Sequence, residues 1–170
     1  VFNKKIIILC LDLVLILSFF SIYFLRESGE ASFKLLIWVI ILCVCSDIGG
    51  YVFGKTFKWR KITEISPNKT LSGVLGSFIF SLFSLFIVEN ISFTSSAFIQ
   101  FLEPKFFLLA IIFSLVAQIG DLAISFFKRL EEVKDTGKIL PGHGGIFDRI
   151  DGLMFVVILT FLLIQFNIIP

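Results

Sequence analysis

Phe106-Phe-Leu-Leu-Ala-Ile-Ile-Phe-Ser-Leu-Val-Ala-Gln-Ile-Gly-Asp121-Leu-Ala-Ile-Ser-Phe-Phe127 is a run of 22 residues that carries one charge, at Asp121. A helix rises 1.5 Å per residue, so about 20 apolar residues cross the ~30 Å hydrocarbon layer of a bilayer. Four further stretches read the same way: Lys5–Leu25, Phe33–Phe53, Ser72–Ile91 and Leu153–Ile169. In lipid every backbone N–H and C=O needs an internal partner, which only a helix or a closed barrel supplies. The runs lack the alternation of barrel strands. The expected fold is therefore all-α: a polytopic transmembrane helical bundle of about five spans, forming a single domain over residues 1–170.

Composition agrees. The chain is 57% hydrophobic and 16% charged, with 23 phenylalanines and a mean hydropathy of +1.01, whereas a soluble domain is about a quarter charged. Cys10, Cys43 and Cys45 lie within apolar runs and form no C-x-x-C pair, so neither a disulfide nor a zinc site is expected. The first apolar run is too long for a signal peptide and no small-residue cleavage site follows it. Val1 at the start points to upstream sequence.

The basic residues set the expected orientation. With the N-terminus in the cytoplasm, the tail (Lys4, Lys5), the link after span two (Lys55, Lys58, Arg60, Lys61, Lys69) and the link after span four (Lys128, Arg129, Lys134, Lys138, Arg149) all face inward. Only Arg26, Lys34 and Lys105 then face outward. That asymmetry follows the positive-inside rule and puts Pro170 outside.

Three acids interrupt the apolar runs. Asp12 is read as a structural acid, with no motif around it. Asp47 and Asp121 sit deeper in their patterns, where a carboxylate costs a few kcal/mol unless protein, water or a cation faces it. Gly49-Gly-Tyr-Val-Phe-Gly54-Lys55-Thr56 has the spacing of a phosphate-binding P-loop. It closes a membrane-length apolar run, where no strand precedes it, so it is read as a site of close helix approach or of a bend at the span's end.

The chemistry concentrates around Lys128–Asp151. Lys128, Arg129, Lys134, Lys138 and Arg149 supply donors for phosphate oxygens. Asp121, Asp135, Asp148 and Asp151 supply hard oxygen ligands of the kind Mg²⁺ takes beside a nucleotide's phosphates. Asp148 and Asp151 share a face if that stretch is helical. Pro141-Gly142-His143-Gly144-Gly145 is a turn whose backbone amides can approach an anion closely, and His143 is the only histidine in the chain. Such a set suits metal-assisted phosphoryl or nucleotidyl transfer at a membrane surface.

Ser125–Asp151 closely resembles the C-terminal motif of the phosphatidate cytidylyltransferases, S-x-x-K-R, four residues, K-D, then P-G-H-G-G-x-x-D-R-x-D. Ser46-Asp47-Ile-Gly-Gly-Tyr51, Ile65-Ser66-Pro67-Asn68-Lys69-Thr70 and Gln118-Ile-Gly-Asp121-Leu122 resemble three shorter blocks of that family in the same order. The resemblance runs from about Cys45 to the C-terminus. It implies transfer of the cytidylyl group of CTP to phosphatidic acid, giving CDP-diacylglycerol and pyrophosphate. It implies Asp121 and Asp148 as ligands of the divalent metal, Mg²⁺, and does not exclude a second cation, monovalent or otherwise. Lys128, Arg129, Lys134, Asp135, His143, Arg149 and Asp151 would line the nucleotide and phosphate site. Asp47, Ser66, Pro67, Lys69, Thr70, Gly144 and Gly145 would contact the substrates. CTP, phosphatidic acid and membrane lipid are the implied partners, with a homodimer allowed and nucleic acid excluded. The implied location is the cytoplasmic membrane, with the catalytic links 54–71 and 128–152 on its inner side. Two departures stand out. Leu71-Ser72-Gly73 replaces the family's Trp-Glu-Gly, and fewer spans precede the motif.

Alternatives are a related CTP-using membrane enzyme with another lipid phosphate or a polyprenol, and an ion-coupled transporter using Asp47 and Asp121. A transporter leaves the packed Lys/Asp/His-Gly-Gly link unexplained. The D-G-x-x-A-R core of the CDP-alcohol phosphotransferases is absent, because Leu-Met-Phe-Val follows Asp151-Gly152.

Overall fold

The computed structural model describes residues 4–61, 69–91, 101–130 and 147–169, with the backbone alone at 4–7 and 147–149. Among the described residues five helices run in chain order: α1 (Lys4–Glu27), α2 (Glu30–Phe57), α3 (Leu71–Asn90), α4 (Pro104–Leu130) and α5 (Phe147–Gln165). Among the described residues the only β pairing is an isolated antiparallel bridge between Lys61 and Thr70. The all-α bundle expected from the apolar runs is therefore what forms. Four helices, α1 to α4, are long and apolar enough to cross a membrane, and α5 contributes a shorter apolar stretch, Ile150–Gln165. The chain is an integral membrane protein.

Helix ends differ from the apolar boundaries for local reasons. Pro104 opens α4, where its missing N–H costs nothing. Lys128 and Arg129, expected in the following link, form the last turn of α4 and complement its dipole. α2 continues past the apolar run to Phe57 and stops where Lys58 turns left-handed (φ 47°), its N–H donating to the Gly54 carbonyl at 3.2 Å. The Gly49–Thr56 stretch is thus helix throughout, which removes the P-loop geometry. Thr70 caps α3, its Oγ1 accepting from the Gly73 N–H at 3.1 Å.

Packing is closest between α2 and α3. A Cβ on Gly49 would collide with the Gly76 carbonyl and the Phe80 ring, and a Cβ on Gly76 would collide with the Gly49 carbonyl and Phe53. Only glycine at both positions lets the backbones meet, the small-residue packing that membrane helices use in place of a hydrophobic driving force. Serines finish the seam: Ser77 Oγ donates to the Ser46 carbonyl at 2.9 Å, and Ser46 and Ser114 hydroxyls bond at 3.0 Å, bringing in α4.

At the far end of the bundle Trp38, wholly buried, packs against Phe101, Phe106 and Phe113 with ring centroids 5.5–5.6 Å apart. Its indole N–H donates to Ser84 Oγ at 3.2 Å, satisfying the polar handle of a buried aromatic. α1 lies outside, touching α5 through Phe20 and Phe24 against Phe161, and exposes Leu9, Leu13, Ile16 and Phe19. The other end of the bundle gathers the C-terminal halves of α2 and α4 and the N-terminal halves of α3 and α5. The polar cavity lies there.

Candidate active site

α4 carries a polar stripe through its apolar pattern. Ser114, Gln118, Asp121 and Ser125 recur at spacings of four, three and four, which places them on one face. Neighbours along it are bonded: Gln118 Nε2 donates to Ser114 Oγ at 3.3 Å, and Ser125 Oγ to Asp121 Oδ1 at 3.4 Å. α2 presents Cys43, Asp47, Gly50 and Tyr51 at the same period. These faces, with the start of α3 and the first turns of α5, enclose a cavity of about 420 Å³. Asp47, Lys69, Thr70, Gln118, Asp121 and Asp151 supply its polar lining.

Its centre is a three-way contact between distant parts of the chain. Lys69, from the link ahead of α3, places Nζ 2.6 Å from Asp121 Oδ2. The same ammonium donates to the Gln118 carbonyl at 3.1 Å. Asp151, from α5, is only 7% exposed, and its carboxyl lies beside that of Asp121. Its Oδ1 also accepts from the Gly152 N–H at 2.9 Å. Gly152 is what brings α5 this close, since a Cβ there would stand 2.9 Å from the Ala117 carbonyl.

The electrostatics follow from the pairing. Two carboxyl groups side by side need a shared proton or a cation to offset their repulsion. The Lys69 ammonium supplies one positive charge on the Asp121 side, and the charge of Lys128, half-buried at the end of α4, acts on Asp151. Carboxylate oxygens from two helices are the hard donors that a small divalent cation selects. Among the described residues no three acidic, cysteine or histidine side chains converge. Asp148 stands on the first turn of α5, three residues ahead of Asp151. The donor chemistry of Asp121 and Asp151 thus fits a divalent cation.

Of the residues singled out from sequence, Asp47, Lys69, Thr70, Asp121 and Asp151 come together around the cavity. Lys128 and Arg129 lie in the last turn of α4, Lys128 half-buried and Arg129 exposed. Asp148 and Arg149 are placed by backbone in α5. Ser66, Pro67, Lys134, Asp135, His143, Gly144 and Gly145 lie outside the described residues. The cavity also holds residues that were not singled out as site residues. The Gln118 carbonyl receives Lys69, and Tyr51 is a rim residue that is still 67% exposed. The polar stripe on α4 was a signal available for Gln118. For Tyr51 the available signal was its place at the end of the Ser46–Tyr51 block, one turn after Asp47.

Comparison with known proteins adds an independent finding. Residues 2–167 match the model of the cytidylyltransferase family. A phosphatidate cytidylyltransferase of Staphylococcus saprophyticus is 39% identical over 146 residues, covering 84% of this chain and 54% of the relative. Those of Staphylococcus haemolyticus and Helicobacter pylori are each 38% identical, covering 88% of this chain and 55% and 52% of the relatives. The chain therefore spans about half the length of the curated relatives it matches.

Proposed function

The chain belongs to the cytidylyltransferase family, and from that premise we propose that it transfers the cytidylyl group of CTP to phosphatidic acid. The observation that carries this reading is the meeting of Lys69, Asp121 and Asp151, from three separate segments, in one cavity at the end of a membrane bundle. The names of the relatives support phosphatidic acid as the lipid.

The reaction needs no protein nucleophile. An oxygen of the lipid phosphate attacks the α-phosphorus of CTP, the bond to the β-phosphate oxygen breaks, and pyrophosphate leaves. Positioning and charge stabilisation supply the catalysis. Asp121 and Asp151, with Asp148 at the head of α5, are the residues that would hold Mg²⁺, which neutralises charge on the phosphates when bound. Lys69 stands at the cavity wall as a donor to phosphate oxygen, with Lys128 and Arg129 in the last turn of α4. Thr70 fixes Lys69 in place, because the helix cap it forms holds the end of the link. The site end of the bundle faces the cytoplasm, where CTP is found, with the N-terminus on the same side and the cytoplasmic membrane as the location.

A panel of lipid acceptors tests the reading. Protein in detergent with Mg²⁺ and α-labelled CTP is expected to label phosphatidic acid and to release pyrophosphate one for one. Labelling of a polyprenyl phosphate in preference to phosphatidic acid would replace the proposed acceptor, and labelling of no lipid would overturn the activity.

A further inference from the structure

We propose that the basic segment closing α2, Lys55 to Lys61, is a docking site for the phosphate headgroup of an anionic membrane phospholipid, which it hands to the cavity at Tyr51. The inference rests on the reading of the chain as an enzyme that acts on a lipid phosphate, and it names where that lipid is collected.

Lys55, Lys58, Arg60 and Lys61 place four positive charges within seven positions, and every residue from Lys55 to Lys61 is exposed. Phe57 and Trp59 lie among them, 54% and 52% exposed, with their rings 6.4 Å apart. Exposed aromatic rings interleaved with basic side chains match the headgroup layer, where rings take the boundary and ammonium and guanidinium groups meet lipid phosphate.

Location turns a general interfacial preference into a site. The segment does not trail into solvent. The Leu71 N–H donates to the Arg60 carbonyl at 3.1 Å, and Lys61 bridges Thr70, so the basic run is fastened to the cavity wall that holds Lys69. On the helical side Lys55 Nζ donates to the Tyr51 hydroxyl at 3.3 Å and stands 5.5 Å from its ring centroid. Tyr51 lines the cavity while remaining two-thirds exposed, so it marks the rim. A headgroup moving in the bilayer plane meets the segment, then Lys55 at the rim, then Lys69 inside. This is a path of basic side chains that leads a phosphate from the exposed run to the lysine lining the cavity. A soluble nucleotide has no need of the aromatic anchors.

The test replaces Lys55, Arg60 and Lys61 together by glutamine, leaving Tyr51 and the cavity residues intact. Activity is measured in mixed micelles against the mole fraction of phosphatidic acid, and separately against CTP. The expected result is a roughly tenfold higher apparent KM for the lipid, with the CTP KM and the rate at saturating lipid within about twofold. Arginine at 55 and 61 with Arg60 retained should restore the lipid KM. An unchanged lipid KM, or a shift confined to CTP, overturns the proposal. A second readout is independent of catalysis: native mass spectrometry of protein mixed with phosphatidic acid and phosphatidylcholine. The unsubstituted chain should retain phosphatidic acid selectively and the triple variant should not. Equal retention of both lipids by the unsubstituted chain overturns docking whether or not product forms. Selective retention without product would fault the proposed reaction and leave the docking site standing.

Discussion

At the scale of single residues the site works against the fold. Asp151 is buried against a second carboxyl, and a desolvated acid in that position costs stability unless a proton or cation offsets it. Residues that break a folding rule in this way are kept for chemistry. Asp151→Asn should therefore leave the thermal unfolding temperature in detergent unchanged or raise it, while activity falls at least ~100-fold, about 2.7 kcal/mol of transition-state stabilisation. A lower unfolding temperature with activity retained would make Asp151 a structural residue. Lys69 is expected to behave differently. It holds Asp121 at 2.6 Å and the Gln118 carbonyl at 3.1 Å, so Lys69→Met removes a tie between the link and α4 as well as a phosphate donor. Both stability and activity should fall, and Lys69→Arg should recover stability more than activity. Equal recovery of the two would argue that Lys69 only ties the link down.

At the scale of helices the α2–α3 crossing forms a wall of the cavity, because Gly50 and Gly73 meet there and both line it. The pair Gly49 and Gly76 admits no side chain. Gly76→Val should cost about 1–3 kcal/mol through forced separation of the helices, read as a lower unfolding temperature. Val44→Leu, on the exposed face of α2, should change nothing. Comparable losses from both would remove the crossing as the controlling contact. The helices themselves were legible from the sequence, because length and apolarity decide them without knowledge of partners. So was the face of α4, since Ser114, Gln118, Asp121 and Ser125 keep a helical period. The contact of Lys69 with Asp121 was not legible. It depends on how α3 and α4 are placed, and no local pattern encodes a meeting between residues so far apart in the chain. Nor could the resemblance alone bring Asp151 against Asp121, since that depends on Gly152 allowing α5 its close approach. The close helix approach at Gly49 and Gly50 was legible too, because the glycines close a membrane-length apolar run, whereas the continuation of α2 to Phe57 was not.

At the scale of the whole molecule the bundle divides its labour between two ends. Trp38 and its phenylalanine neighbours fasten the end away from the cavity. Trp38→Ala should lower stability by about 3–5 kcal/mol while leaving the KM for CTP unaltered in whatever protein stays folded. A change in that KM would mean that the two ends communicate. The distribution of lysine and arginine predicts that the cavity end faces the cytoplasm and that Pro170 lies outside. A reporter active only in the cytoplasm, fused at Pro170, should be silent, and an active one would invert the topology. The carboxyls of α4 and α5 are proposed to serve transfer of the cytidylyl group of CTP to a lipid phosphate, with release of pyrophosphate. The most direct measurement compares the chain with its Asp121→Asn variant in micelles of phosphatidic acid with Mg²⁺ and labelled CTP. The expected result is labelled CDP-diacylglycerol from the first and at least ~100-fold less from the second, at equal folded protein. Equal product from both would contradict the account.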